Sequence, residues 1–208
     1  MGRLLVDPPL DDTEAKMVLE VAYVGLLGEP IEPFSLGIAQ AIGLMEGRYG
    51  KWGPGNASNN WGAITVPPLP GGGCPTTGFP HKDSSFELGE YTTCFRLYPT
   101  SLEGATNFLK VLYVDRPKVF EAALSGDIRG VAREMYATNY YLGTAPPDKR
   151  GPNGDFVNVN NYIDFIGKGI NQISDLYPFG NGDSDTGNGV VIALGVAAMA
   201  GLVMVASK

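Results

Sequence analysis

The sequence predicts a mainly α, α+β fold: a helical body, a small β-containing lobe inserted into it, and an apolar C-terminal helix behind a linker. Three observations point there. Apolar residues recur at helical spacing over long stretches on both sides of residues 50–90. Those intervening residues are rich in Gly and Pro, and the stretch is too long for a simple connection in a compact domain. Residues 190–206 carry no charge and follow a polar run of Gly, Asn and Asp.

Taken in order, Asp11-Asp12-Thr13-Glu14 predicts a helix start, and "EAKMVLEVAYVGLL" continues it to Gly28. Ser35 is placed to cap a second helix, "LGIAQAIGLMEG", ending near Gly47. On it Ile38, Ile42 and Met45 form one stripe, with Glu46 at its edge. "YTTCFRLY", residues 91–98, predicts a strand from its β-branched and aromatic content, and "ELGE" before it predicts a hairpin turn. Thr100-x-x-Glu103 opens a third helical region that runs on through "KVFEAALS" and "DIRGVAREMYA". A polar loop, 143–155, precedes the last globular helix, "NYIDFIGKGINQISDLY". "PFGNGDSDTGNG" has the composition of a flexible linker.

The totals exclude several functions. Apolar residues are 44% and charged residues 18%, so the chain is not disordered throughout. A net charge of −7, with no basic stripe, argues against a nucleic-acid partner. One histidine, His81, and two cysteines leave neither a metal site nor a Ser-His-Asp set, and no cofactor is implied. Carboxylates remain as the catalytic candidates. Glu46 stands first, because a carboxyl group at a helix end beside apolar residues is partly desolvated, which favours the protonated form a general acid needs. The N-terminal stretch "MGRLLVDPPLDDTEAK" matches neither a secretory signal nor a myristoylation motif.

"AQAIGLMEGRYGKW" and the following "SNNWGAI" resemble the catalytic segment of glucosaminidase domains of glycoside hydrolase family 73. Ala39-Gln40-Ala41, Glu46, Tyr49-Gly50 and Asn59-Asn60-Trp61-Gly62 occur in the family's order. "FRLYPTSLEGATNFLKVL" is similar to its Phe-Arg-x-Tyr strand end and following helix, and "AREMYATNYY" with "NYIDFIGKGI" to its Tyr-Ala-Thr-Asp stretch and closing helix. The matches cover residues 35–173. Two positions depart from the pattern: Gly47 replaces a serine, and Asn139 replaces the aspartate.

The resemblance implies a lysozyme-like domain over residues 1–177 and a peptidoglycan hydrolase that cuts β-1,4 bonds of the glycan strand as an endo-β-N-acetylglucosaminidase; composition makes residues 178–189 a linker. It places the catalytic acid at Glu46. It places substrate contacts at Asn59, Asn60 and Trp61, where amides would meet hydroxyl or acetamide groups and an aromatic face a sugar ring. It also places Tyr136 toward the substrate groove. A second carboxylate would come from the lobe, where the candidates are Asp83, Glu87 and Glu90; Asp83 fits the family spacing best and Glu90 next. Attack by the sugar's own acetamide would need none of them. Muramidase or lytic transglycosylase action on the same fold, and a non-catalytic wall-binding virion protein, are the alternative functions. Cys74 and Cys94 flank the lobe as either a disulfide or two thiols. A bridge is favoured, because the small lobe has little core and wall enzymes work outside the reducing cytosol.

Residues 190–206 would span roughly 26 Å as a helix, against a bilayer core of about 30 Å. They are expected to anchor the chain in a membrane, with Ala193, Ala197 and Gly201 forming a small-residue face suited to helix pairing and a homo-oligomer. A buried core helix is the alternative. A membrane-anchored enzyme acting on the bacterial cell wall, carried there in a phage virion, fits this topology.

Overall fold

In the computed structural model the chain is described over residues 10–28, 30–50, 58–86, 88–141, 143–177 and 179, with residues 83–85 described by their backbone. Expectations for Glu87, for the 178–189 linker apart from Phe179, and for the 190–206 run lie outside the described residues. Among the described residues no helix is long and apolar enough to cross a membrane.

The architecture is a mainly α body with one small antiparallel sheet. Helix α1 (Asp12–Leu27) starts at the expected capping box, in which Asp11 and Glu14 each bond the other's backbone N–H. Helix α2 (Pro33–Gly47) starts two residues before the expected Ser35 cap. Pro33 explains the difference: its fixed φ suits the first helical position, and it needs no hydrogen-bond partner there. Ser35 lies inside the helix, where its hydroxyl donates to the Glu32 carbonyl and meets the Tyr23 hydroxyl.

Residues Ser35–Leu44 of α2 are all buried, so the single expected stripe is instead a helix enclosed on every side. Composition permits this, because Gly37, Ala39, Ala41 and Gly43 let other elements approach its backbone. Helix α6 (Val157–Gln172) packs directly on it; a Cβ on Gly169 would lie 2.7 Å from the Ala41 carbonyl oxygen.

The lobe holds strands β1 (Thr65–Val66), β2 (Gly78–Ser85) and β3 (Gly89–Arg96), in the order β1-β3-β2. The hairpin closes between Ser85 and Gly89, close to the expected "ELGE", and Gly89 takes the left-handed φ of 63°. Pro80 is tolerated within β2 because that strand is an edge. Cys74 and Cys94 form a disulfide that ties the loop before the hairpin to β3. By the chain-entropy argument it stabilises the lobe by about 3 kcal/mol.

Helix α3 (Ser101–Leu109) is capped by Thr100, as expected, and passes into a π-helical turn, Lys110–Val114. Helices α4 (Pro117–Leu124) and α5 (Ile128–Ala137) complete the body with α6. The loop between α5 and α6 is tied down by Asp155. This buried carboxylate accepts from Arg129 at 2.8 Å and from Arg133 at 2.6 Å.

Candidate active site

Glu46 lies in the last turn of α2 and is half-buried. The helix ends abruptly after it, because Arg48 and Tyr49 are both left-handed, with φ of 44° and 59°. Their amides bond the Leu44 and Gly43 carbonyls. Such a conformation costs an ordinary L-residue about 1–2 kcal/mol, and tertiary contacts offset it here. Tyr49 is buried, and its hydroxyl donates to Asp12 Oδ1 at 2.6 Å and accepts from Gln40 Nε2. Gln40 also donates to the Asp12 carbonyl and accepts from Tyr177. The Ala-Gln-Ala motif therefore joins α1, the end of α2 and the segment after α6. It sets where α2 stops, and so where Glu46 sits.

The carboxylate has a partner that the sequence reading missed. Tyr162 of α6 donates from its hydroxyl to Glu46 Oε1 at 2.6 Å. Its ring is stacked on Tyr141, with centroids 4.0 Å apart and planes 9° apart, and touches Phe165 on the same helix. Burial, and next the charge of Glu46, push the Tyr162 phenol well above its ordinary value, so it remains a neutral donor. Two effects oppose each other at the ionised Glu46. The C-terminal end of a helix disfavours an anion, and the phenol donor favours it.

Tyr140 is a second neighbour. Its hydroxyl donates to the Gly62 carbonyl at 3.1 Å, and the Arg116 guanidinium lies 5.2 Å from its ring centroid. Burial, followed by Glu46, pushes its phenol up as well. Tyr136 is half-buried and donates to the Pro147 carbonyl; its ring touches Tyr141 and Phe156. The expected Tyr136 thus joins Glu46 through a continuous run of rings, Tyr136–Tyr141–Tyr162. One signal was available in the sequence: Tyr162 precedes Ile166 and Ile170 on the buried face of an amphipathic helix.

The Asn59-Asn60-Trp61-Gly62 segment, expected to contact substrate, is packed within the protein. Trp61 is 0% exposed, and its ring packs by Tyr49, Gly43 and Gly104, so no ring face is open to a sugar. The amides are engaged by protein. Asn59 donates to the Tyr98 carbonyl and accepts from Ser101, while Asn60 donates to the Ile64 and Arg96 carbonyls and accepts from the Ile64 amide. These residues clasp the lobe to the ends of α2 and α3. Asn59 itself has a φ of 47°, which asparagine tolerates better than most side chains. Among the described residues, Trp61 Nε1 is buried with no hydrogen-bond partner.

The two departures from the family pattern have local reasons. A Cβ at Gly47 would lie 2.8 Å from the Asn60 carbonyl oxygen, so glycine lets the clasp close against the helix end. Asn139 sits at a φ of 53°, a left-handed position that asparagine and aspartate both accept.

The lobe carboxylates lie toward the hairpin turn. Asp83 is opposite Tyr91, and Glu90, which is exposed, is opposite Ser84 on the adjacent rung. Adjacent rungs belong to opposite faces of a ribbon. The turn meets the helical body, where the Phe86 amide donates to the Gly143 carbonyl at 3.3 Å. His81 packs against the Phe95 ring. Among the described residues no cluster of His, Cys, Asp or Glu could hold a metal ion.

No protein-family model and no curated protein matches the chain. Solved structures do. The chain is similar to the glycoside hydrolase domain of FlgJ from Salmonella typhimurium, with 13% identity and a TM-score of 0.45 over 80% of this chain and 91% of that one. It is also similar to the catalytic domain of the autolysin Auto from Listeria monocytogenes, with 14% identity and a TM-score of 0.48 over 82% and 88% of the two chains. A C-terminally truncated FlgJ glycoside hydrolase domain aligns with 15% identity and a TM-score of 0.45, over 79% of this chain and 99% of that one.

Proposed function

We propose that this protein is a peptidoglycan hydrolase that cleaves β-1,4 bonds of the glycan strand with Glu46 as proton donor, as an endo-β-N-acetylglucosaminidase. One observation carries the reading. A half-buried carboxylate, held by Tyr162 at the end of an enclosed helix, stands at the head of a run of tyrosine rings and beside the lobe. Glycoside cleavage needs a carboxylic acid next to the leaving oxygen, and sugar rings bind well against flat aromatic faces. In this reading Tyr141 and Tyr136 contact the sugar, whereas Asn59, Asn60 and Trp61 hold the lobe in place. The second group is a lobe carboxylate, Asp83 or Glu90, or the sugar's own acetamide.

The deciding experiment compares the full-length protein with Glu46→Gln on purified cell walls. The wild type is expected to release reducing sugar, and the variant to lose at least about 100-fold of that activity while keeping its fold. Full activity in the variant would overturn the assignment. Mass spectrometry of the released fragments identifies the new reducing end: N-acetylglucosamine supports the glucosaminidase reading, and muramic acid or its anhydro form a muramidase or transglycosylase. Wall binding without cleavage by the wild type would make the chain a binding protein.

A further inference from the structure

We infer that Tyr162 is the positioning residue for Glu46: it holds Oε1 as a hydrogen-bond acceptor and so assigns the transferable proton to Oε2. The inference rests on Glu46 being the proton donor.

The geometry is specific. The Tyr162 hydroxyl reaches Oε1 at 2.6 Å, and its ring is held between Tyr141 and Phe165. Tyr141 is fixed in turn, because its own hydroxyl donates to the Ala132 carbonyl at 3.0 Å. Helix α6, which carries Tyr162, packs directly on α2, which carries Glu46. The phenol donor is therefore placed by two rigid helices.

A protonated carboxyl group has one O–H and one carbonyl oxygen, and only the latter accepts well. Tyr162 occupies Oε1 as that acceptor, so the proton resides on Oε2. During cleavage the C–O bond to the leaving sugar breaks and its electron pair stays on the leaving oxygen. That oxygen takes the proton from Oε2, and water adds to the anomeric carbon, its released proton passing to a lobe carboxylate or to solvent. Glu46 is left as a carboxylate, and the Tyr162 bond to it becomes charge-assisted and stronger. The same hydrogen bond thus orients the acid before transfer and stabilises the anion after it.

Among the described residues, Tyr162 on α6 and Tyr140 in the loop after α5 feel the charge of Glu46; Tyr141 stacks on Tyr162, Arg116 lies over the Tyr140 ring, and Arg48 follows Glu46 by two residues. Removing the Tyr162 hydroxyl leaves the others in place. It withdraws a donor from the charged form, so the Glu46 carboxyl should hold its proton to higher pH.

The test uses the full-length protein with ¹³C-labelled glutamate, with Glu46→Gln assigning the carboxyl signal. In Tyr162→Phe the titration midpoint of Glu46 should rise by on the order of one pH unit. The basic limb of kcat/KM should rise with it, and kcat should fall about tenfold with KM little changed. Replacing Tyr162 by 3,5-difluorotyrosine keeps the ring and strengthens the donor, so the midpoint should fall. This second variant covers the case in which Tyr162→Phe does not fold. Midpoints unmoved in the folded variants overturn the inference. If the midpoints move in opposite directions but wild-type protein does not cut walls, the positioning role stands and the hydrolase reading fails. If walls are cut and the midpoints do not move, the positioning role fails alone.

Discussion

Gly104 shows how much of the candidate site depends on a single missing methyl group. A Cβ there would lie 1.7 Å from the Asn59 carbonyl oxygen, at the point where the clasp crosses the first turn of α3. The clasp cannot move away, because both Asn59 and Asn60 are bonded to backbone of the lobe. Gly104→Ala is therefore expected to destabilise the fold by about 3 kcal/mol. Urea unfolding measures this, and a midpoint equal to that of the wild type would refute the clasp. The sequence shows the Asn-Asn-Trp-Gly unit clearly but not its burial. Amides and aromatic rings suit a sugar and a loop interlock equally well, and only the hydrogen-bond partners distinguish the two.

Among the elements, the hairpin is the one whose chemistry is testable. Its register sets Asp83 and Glu90 on adjacent rungs near a turn that touches the helical body at Gly143. If one of them supplies the base or nucleophile, its alanine variant should lose most of kcat, about 100-fold, with wall binding retained. Adjacent rungs face opposite ways, so the two single variants should differ sharply. Equal and full activity in Asp83→Ala, Glu90→Ala and the double variant would instead favour the acetamide route. Helix α2 shows the limit of pattern analysis at this scale. Its apolar and small residues extend all round, so no stripe marks one face, and its start is set by Pro33 rather than by the more obvious Ser35.

For the whole molecule, the buried phenols predict how stability depends on pH. Burial raises Tyr49, Tyr98, Tyr113, Tyr140, Tyr141, Tyr162 and Tyr177 above their ordinary value. In the unfolded chain these groups lose their protons near pH 10, while the folded chain retains them. Their contribution is therefore complete below about pH 10 and is lost as pH rises beyond it. The thermal midpoint should fall steeply between pH 10 and 11, as estimated from the ordinary phenol value of about 10. A flat midpoint across that interval would contradict the burial of these rings. The uncharged residues 190–206 carry a separate proposal, that they anchor the chain in a membrane. A chain ending at Asp185 should then be soluble and active on isolated walls, with the full chain requiring detergent. If the shortened chain precipitates or melts much lower, these residues belong to the core.

The sequence alone determined the helical body with its β-containing lobe, the hairpin turn, the caps at Asp11 and Thr100, and Glu46 as the acid worth testing. The structural features depend on residues close together in the chain, through periodicity, capping side chains or turn chemistry, whereas Glu46 was singled out by its helix-end position together with the family resemblance of its segment. Only the tertiary structure decided what surrounds Glu46. Tyr162 lies 116 residues further along the chain, and Asn59 meets Ser101 across 42. No local pattern records such pairs, because they arise when α6 packs on α2 and the lobe closes onto α3. The same packing buried Trp61, whose ring residue type alone had assigned to a sugar, and left Tyr141 half-buried beside Tyr162.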